Sequence, residues 1–257
     1  MFDLTPLVLV FLALLGLGIG SFINAAVLRL NAEQTLMGRS QCPHCHHVLA
    51  WYTLIPLASY LALQGRCLYC RHPIAPHYLV VEAVTATLFV LAGLLFMEQP
   101  LQLALVAFTS AVCVAIFLSD YLFYTIPDAI SLPALVVVVL GQWLIGTPWY
   151  QILLGIAIGA GVFALQYLLS RGRWVGSGDI RFGAMIGAAV AWPNTLLALF
   201  LAYVGGALVA LPLLLRKQKK MNDAMPFGTF LAVACIITLY LGDQIVDWYL
   251  YEILRLP

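Results

Sequence analysis

Two aspartates stand at the edges of long apolar runs. Asp120, in Ser119-Asp120-Tyr121, closes one run, and Asp179, in Gly176-Ser177-Gly178-Asp179, opens another. A carboxylate in a membrane-spanning stretch is costly, so its presence there points to function. If the two meet, like-charge repulsion in a low dielectric keeps both from ionising, and the pair shares one proton. The ionised member then takes a proton from water and the water attacks a peptide carbonyl. The protonated member donates to the developing oxyanion and later to the leaving amine, so no nucleophilic side chain is required. Asp128, in Ile126-Pro127-Asp128, precedes a further apolar run and reads as a helix N-cap or first-turn acid, which leaves Asp120 favoured for the chemistry. Gly176 and Gly178 let the backbone approach a substrate strand, and Arg181 is expected to snorkel outward. Without a Walker lysine, this short glycine loop is a weak phosphate signal. Glu82, about one turn into another run, is a buried acid suited to binding a polar group or an inward arginine.

A second constellation is Cys42-Pro43-His44-Cys45 followed by Cys67-Leu68-Tyr69-Cys70. Paired CxxC motifs at this separation predict a tetrahedral thiolate site for zinc. Disulfides are the competing reading, which a reducing cytoplasmic setting disfavours. His44, His46, His47, His72 and His77 lie in or beside the same loop, so a mixed ligand set stays open. Four thiolates close the coordination shell, which assigns the zinc to folding of the loop rather than to chemistry. Cys113 and Cys235 fall within apolar runs and read as small buried hydrophobes.

The elements that must position these groups are membrane helices. Of 257 residues, 63% are hydrophobic and 9% charged, too apolar for a soluble domain. Runs long enough to cross about 30 Å of hydrocarbon predict spans near 5–28, 78–96, 101–119, 129–146, 150–169, 180–192, 194–215 and 227–246. The sixth is short and runs into Trp192-Pro193-Asn194, where it would tilt or merge with its neighbour. The fold class is therefore an all-α polytopic membrane protein of about eight transmembrane helices, with a zinc-binding cytoplasmic loop after the first. The first run has Asp3 before it and Arg29 after it, the reverse of a cleaved signal, so it is a retained helix with its N-terminus outside.

That topology puts Arg29, Arg39, Arg66, Arg71, Arg171, Arg173, Arg181, Arg216, Lys217, Lys219 and Lys220 inside and only Arg255 outside, as the positive-inside bias requires. Asp120 and Asp179 then fall at one face, where they can share a site. The Arg216 to Lys220 cluster suits anionic lipid headgroups there. A net charge of +1 says little about partners, and no nucleic-acid partner is expected. The apolar segment Trp51 to Leu61, interrupted by Pro56, is too short to cross and is expected to lie along the interface. Gly155, Gly159, Gly183 and Gly187, at four-residue spacing, permit close helix packing.

These motifs together resemble the bacterial prepilin peptidases, the type IV leader peptidase family of GxGD-type aspartic peptidases. The resemblance rests on Gly20-Ser21-Phe22-Ile23-Asn24 with Arg29-Leu30, the CxxC pairs, Gly65-Arg66-Cys67, Tyr78 with Glu82, Asp120 through Asp128, Gly176-Ser177-Gly178-Asp179 and Pro226-Phe227-Gly228. It implies that Asp120 and Asp179 are catalytic. It further implies cleavage of a basic leader from prepilins and type II secretion pseudopilins at the cytoplasmic face of the inner membrane, then N-methylation of the new terminus with S-adenosylmethionine. The expected division is 1–77, the first helix and tetracysteine loop associated with methyl transfer, and 78–257, the peptidase. Thr53 departs from the family's usual acid, and Thr229 stands where proline is common. No Rossmann-type glycine loop marks a methyl-donor site, which is narrowed only to roughly 20–82. The rival from another class is a transporter or proton channel using the two acids; it calls for acids near mid-bilayer and paired half-sequences.

Overall fold

The computed structural model describes residues 5–216 and 225–253. Asp3, Lys217, Lys219, Lys220 and Arg255 lie outside the described residues. Among these residues the chain is helical, with only two isolated bridges, Gln41 to Val48 and Arg66 to Pro73. It forms two compact units, one through Leu103 and one from Ala104.

The first unit pairs α1 (Thr5–Asn31) with α3 (His77–Phe96). Two glycines four residues apart set how closely they pack: a Cβ on Gly16 would lie 2.6 Å from the Ala86 Cα, and one on Gly20 would lie 2.7 Å from the Glu82 Cα. Small residues let membrane helices meet backbone to backbone, where dispersion and not water exclusion holds them. Asn24 reinforces the seam, donating to the Gly20 and Tyr78 carbonyls at 3.2 Å each.

The connection between α1 and α3 carries both CxxC motifs on two copies of one turn. Cys42 N–H donates to the His47 carbonyl and His46 N–H to that of Cys42; 25 residues on, Cys67 donates to His72 and Arg71 to Cys67. His46 and Arg71, equivalent positions, both adopt φ of +55°. Between the copies the Trp51 segment forms a 3₁₀ turn (Trp51–Leu54) and the one-turn helix α2 (Ala58–Ala62), not a span. Trp51, Tyr52 and Leu61 stay exposed, as an interfacial segment requires.

The second unit contains α4 (Pro100–Phe123) from Ala104 onward, α5 (Asp128–Leu144), α6 (Trp149–Ser170), α7 (Ser177–Val190), α8 (Asn194–Leu215) and α9 (Phe227–Trp248), followed by a π turn at Tyr249–Ile253. Among the described residues, eight long helices thus stand where eight runs were expected. Six of them are long and apolar enough to cross a membrane, while α5 has 17 residues and α7 has 14. At 1.5 Å per residue α7 spans only about 21 Å, and Phe182 through Val190 are buried in protein. It does not merge with α8: α7 ends at Val190, and a cis Trp192–Pro193 bond lies in the turn between them. The four spaced glycines do pack as expected, since a Cβ on Gly155 would meet the Gly187 carbonyl at 2.1 Å and one on Gly159 that of Gly183 at 2.2 Å. Cys113 and Cys235 are fully buried.

Candidate active site

Asp120 lies in the last turn of α4 and Asp179 in the first turn of α7, both buried in the second unit. α6 ends at Ser170, where Arg171 turns left-handed (φ +53°), and α7 starts after the extended cap residue Gly176, which makes Asp179 its third residue. Its Oδ2 reaches back to accept the Gly176 N–H at 2.8 Å, the carboxylate half of a capping box. This anchors the side chain to its own loop and fixes its rotamer.

Asp120 is held from a different element. Its Oδ2 accepts the Thr229 backbone N–H at 2.9 Å, in the first turn of α9. Residues 226–229 come this close because Gly228 has no side chain: a Cβ there would lie 2.9 Å from the same oxygen. Thr229, which departs from the family pattern, therefore supplies a donor that proline could not.

The two carboxyls are near enough for the charge of one to act on the other. The segment joining α4 to α5 separates their supports. Ile126 fills the space where side chains on both neighbouring glycines would stand, 2.9 Å from a Cβ on Gly178 and 3.1 Å from one on Gly228. Gly178 is thus committed to packing on Ile126. Around the pair, the rings of Phe163, Tyr203 and Phe227 pack together, with 5.1 Å between the centroids of Tyr203 and Phe227.

Asp128 is the first residue of α5 but its side chain caps nothing; Pro127 holds the cap position. Instead it forms a salt bridge with Arg181, whose guanidinium also donates to the Ser177 hydroxyl at 3.0 Å. Arg181 therefore points away from the buried acids, as expected of a snorkelling side chain. Ile126 and Thr229 were not legible as site residues. Ile126 was read only as part of the Ile-Pro-Asp motif, and Thr229 only as a departure from the proline common there.

The four cysteines of the first unit form a separate centre. Their sulfurs all lie within 4.8 Å of one another, with Cys42 and Cys70 at 3.9 Å. Thiolates about 2.3 Å from a tetrahedral zinc stand about 3.8 Å apart, so the donor set fits that ion. Among the described residues this is the one group able to hold a metal, and no histidine belongs to it. The rings pack instead: His44 on His72 with centroids 4.2 Å apart, and His47 beside Tyr69 at 3.7 Å. These contacts are equivalent under exchange of the two turns, so the loop has local two-fold symmetry about the cysteines. Burial opposes ionisation of Cys42, but the backbone N–H groups of Cys45 and His44 outweigh it and bring the thiol down to about 7. At Cys70 the His72 N–H acts to lower the value, yet burial and the neighbouring thiols carry it up to about 11.

Comparison with known proteins gives two family matches, a bacterial peptidase A24 N-terminal domain over residues 14–96 and the type IV leader peptidase family over 106–211. The chain is similar to the prepilin leader peptidase/N-methyltransferase of Burkholderia pseudomallei (strain K96243), 33% identical over 93% of this chain and 87% of that protein. It is 34% identical to the protein of the same description from Pseudomonas putida, over 90% of each chain. With that from Bacillus subtilis (strain 168) it is 33% identical over 93% of this chain and 96% of the other. No solved structure matches the chain.

Proposed function

The chain belongs to the type IV leader peptidase family, and from that premise we propose that it removes the basic leader of prepilins or pseudopilins with Asp120 and Asp179 and then methylates the new N-terminus. It is a multi-pass membrane protein. The positive-inside bias supports an inner-membrane topology with the acids at the cytoplasmic face. A substrate with its basic leader held inside and an apolar helix in the membrane presents its scissile bond at that depth.

The observation that carries the reading is the pair of buried carboxyls, within electrostatic reach of one another and anchored by backbone N–H groups, Asp120 by those of Thr229 and Gly228 and Asp179 by that of Gly176. A carboxylate has about four lone-pair sites, so each acid, held by its backbone donors, keeps capacity for the shared proton and the attacking water. The ionised carboxylate accepts a proton from water as the oxygen attacks the carbonyl carbon. The neutral partner protonates the carbonyl oxygen to give a gem-diol; the carboxyl that took the water's proton then delivers it to the leaving nitrogen as the C–N bond breaks, and a gem-diol hydroxyl returns its proton to the other carboxylate, restoring the pair. Gly176 and Gly178 support the loop that carries Asp179. Asp128 has a supporting role through Arg181.

The tetracysteine centre is assigned to structural zinc, with residues 1–77, joined by Glu82 of the packed α3, serving methyl transfer and the rest of 78–257 cleavage. Methyl transfer requires S-adenosylmethionine as donor. The test uses the purified chain in detergent with a prepilin substrate. Asp120→Asn and Asp179→Asn are expected to abolish leader removal, while Asp128→Asn retains part of it; mass spectrometry of the product reveals the added methyl group. Ion flux without cleavage would instead favour a transporter, and complete loss in Asp128→Asn at normal expression would transfer the catalytic role to that residue.

A further inference from the structure

The first unit contains a cavity of about 360 Å³, within the size range of small-molecule sites. One wall is a face of α1 carrying Gly18, Ser21, Phe22 and Arg29; the other comes from the following connection, including Gly38 and Leu54. Its chemistry differs from end to end. At one end the Arg29 guanidinium donates to the carbonyls of Leu36 and Gly38. A guanidinium has five N–H donors, so donors remain for a carboxylate.

The middle of the α1 wall has an acid behind it. The Ser21 hydroxyl is hydrogen-bonded to Glu82, which is 7% exposed. Glu82 Oε2 also accepts the Leu57 N–H at 2.8 Å. Leu57 has φ of +56°, a conformation that a leucine adopts only when its surroundings impose it. Glu82 thereby holds the turn just beyond Leu54 in place beside the cavity. The apolar surface is supplied by Phe22 and Leu54. Gly18 shows that the space is open: a Cβ added there meets nothing within 4 Å.

We infer that this cavity receives the methyl donor of the N-methylation, an adenosyl sulfonium bearing an amino-acid tail. Arg29 would hold the tail carboxylate, Ser21 with Glu82 would face the positively charged portion, and Phe22 with Leu54 would cover the base. An anion-binding cleft would need only the arginine; a buried acid and an apolar wall beside it match a ligand with a carboxylate, a cation and a flat ring. When bound, the donor supplies an electrophilic methyl group. The amine lone pair of the new N-terminus forms the N–C bond, the C–S bond breaks with its electrons left on sulfur, and the amine's proton passes to water. This inference rests on the methyl-transfer part of the proposed function and is independent of the aspartate pair.

Equilibrium dialysis of the full chain in detergent with radiolabelled S-adenosylhomocysteine tests it without turnover. The unaltered chain is expected to bind saturably. Gly18→Leu, which fills the cavity, is expected to weaken binding at least tenfold with little change in thermal midpoint, and Arg29→Ala also to weaken it. Gly161→Leu, at another position open to a side chain, is expected to bind as the unaltered chain does. Equal binding by Gly18→Leu and Arg29→Ala would overturn the location while leaving methyl transfer intact. No binding to an unaltered chain that still removes leaders would overturn the methyl-transfer reading itself.

Discussion

Ile126 occupies the space that side chains on Gly178 and Gly228 would need, and those glycines belong to the loops that carry Asp179 and brace Asp120. A branched side chain is stiff at χ1, so it acts as a fixed spacer between two supports that would otherwise relax toward each other. Ile126→Ala, at a partly buried position, is expected to cost about 2 kcal/mol of stability but to lower the leader-cleavage rate by about 10- to 100-fold, because misplacement of about 1 Å costs that much in rate. Ile126→Val should stay close to the unaltered chain. Steady-state cleavage beside thermal unfolding checks this: equal activity in all three would remove the spacer role. The acids themselves were legible because a carboxylate in an apolar run is costly enough to stand out. Ile126 and Thr229 were not, because an isoleucine in a membrane protein and a backbone N–H carry no such signal.

At the scale of elements, the crossing of α6 and α7 fixes where Asp179 begins its helix. Gly155 and Gly187 meet so closely that a Cβ on Gly187 would stand 2.0 Å from the Gly155 carbonyl oxygen, which is backbone and cannot turn aside. Gly187→Ala is expected to cost about 3 kcal/mol or more, visible as loss of folded protein in detergent. Gly161→Ala, on α6 but facing open space, should fold normally. Recovery of Gly187→Ala with an unchanged thermal midpoint would contradict the crossing. The four-residue spacing forecast close packing, and the apolar runs forecast the eight long helices among the described residues. That α7 is only 14 residues long and buried along most of its length was less legible, since hydropathy does not separate a lipid-facing helix from one enclosed by protein.

For the whole molecule, stability is divided between two units with different sources of order. The first has two spanning helices and a long connection whose regularity rests on the tetracysteine turns. Metal loading replaces up to four thiol protons. With Cys70 up at about 11, loading is expected to weaken as pH falls, and chelation or Cys42→Ser to reduce folded yield more than turnover of the surviving protein. Metal content by mass spectrometry and the thermal midpoint after chelation check this; unchanged yield and midpoint would remove the structural role. By itself, the sequence determined the membrane class, the helices, the four cysteines able to share a metal and the two acids worth watching. Each of these follows from local composition, in which twenty apolar residues, a CxxC pair or an isolated carboxylate has an energetic meaning wherever the chain goes. Only the tertiary structure decided that Thr229 anchors Asp120, that Asp128 draws Arg181 outward and that Ile126 separates the two loops. Those contacts join residues distant in sequence, and their energies exist only once the helices have packed.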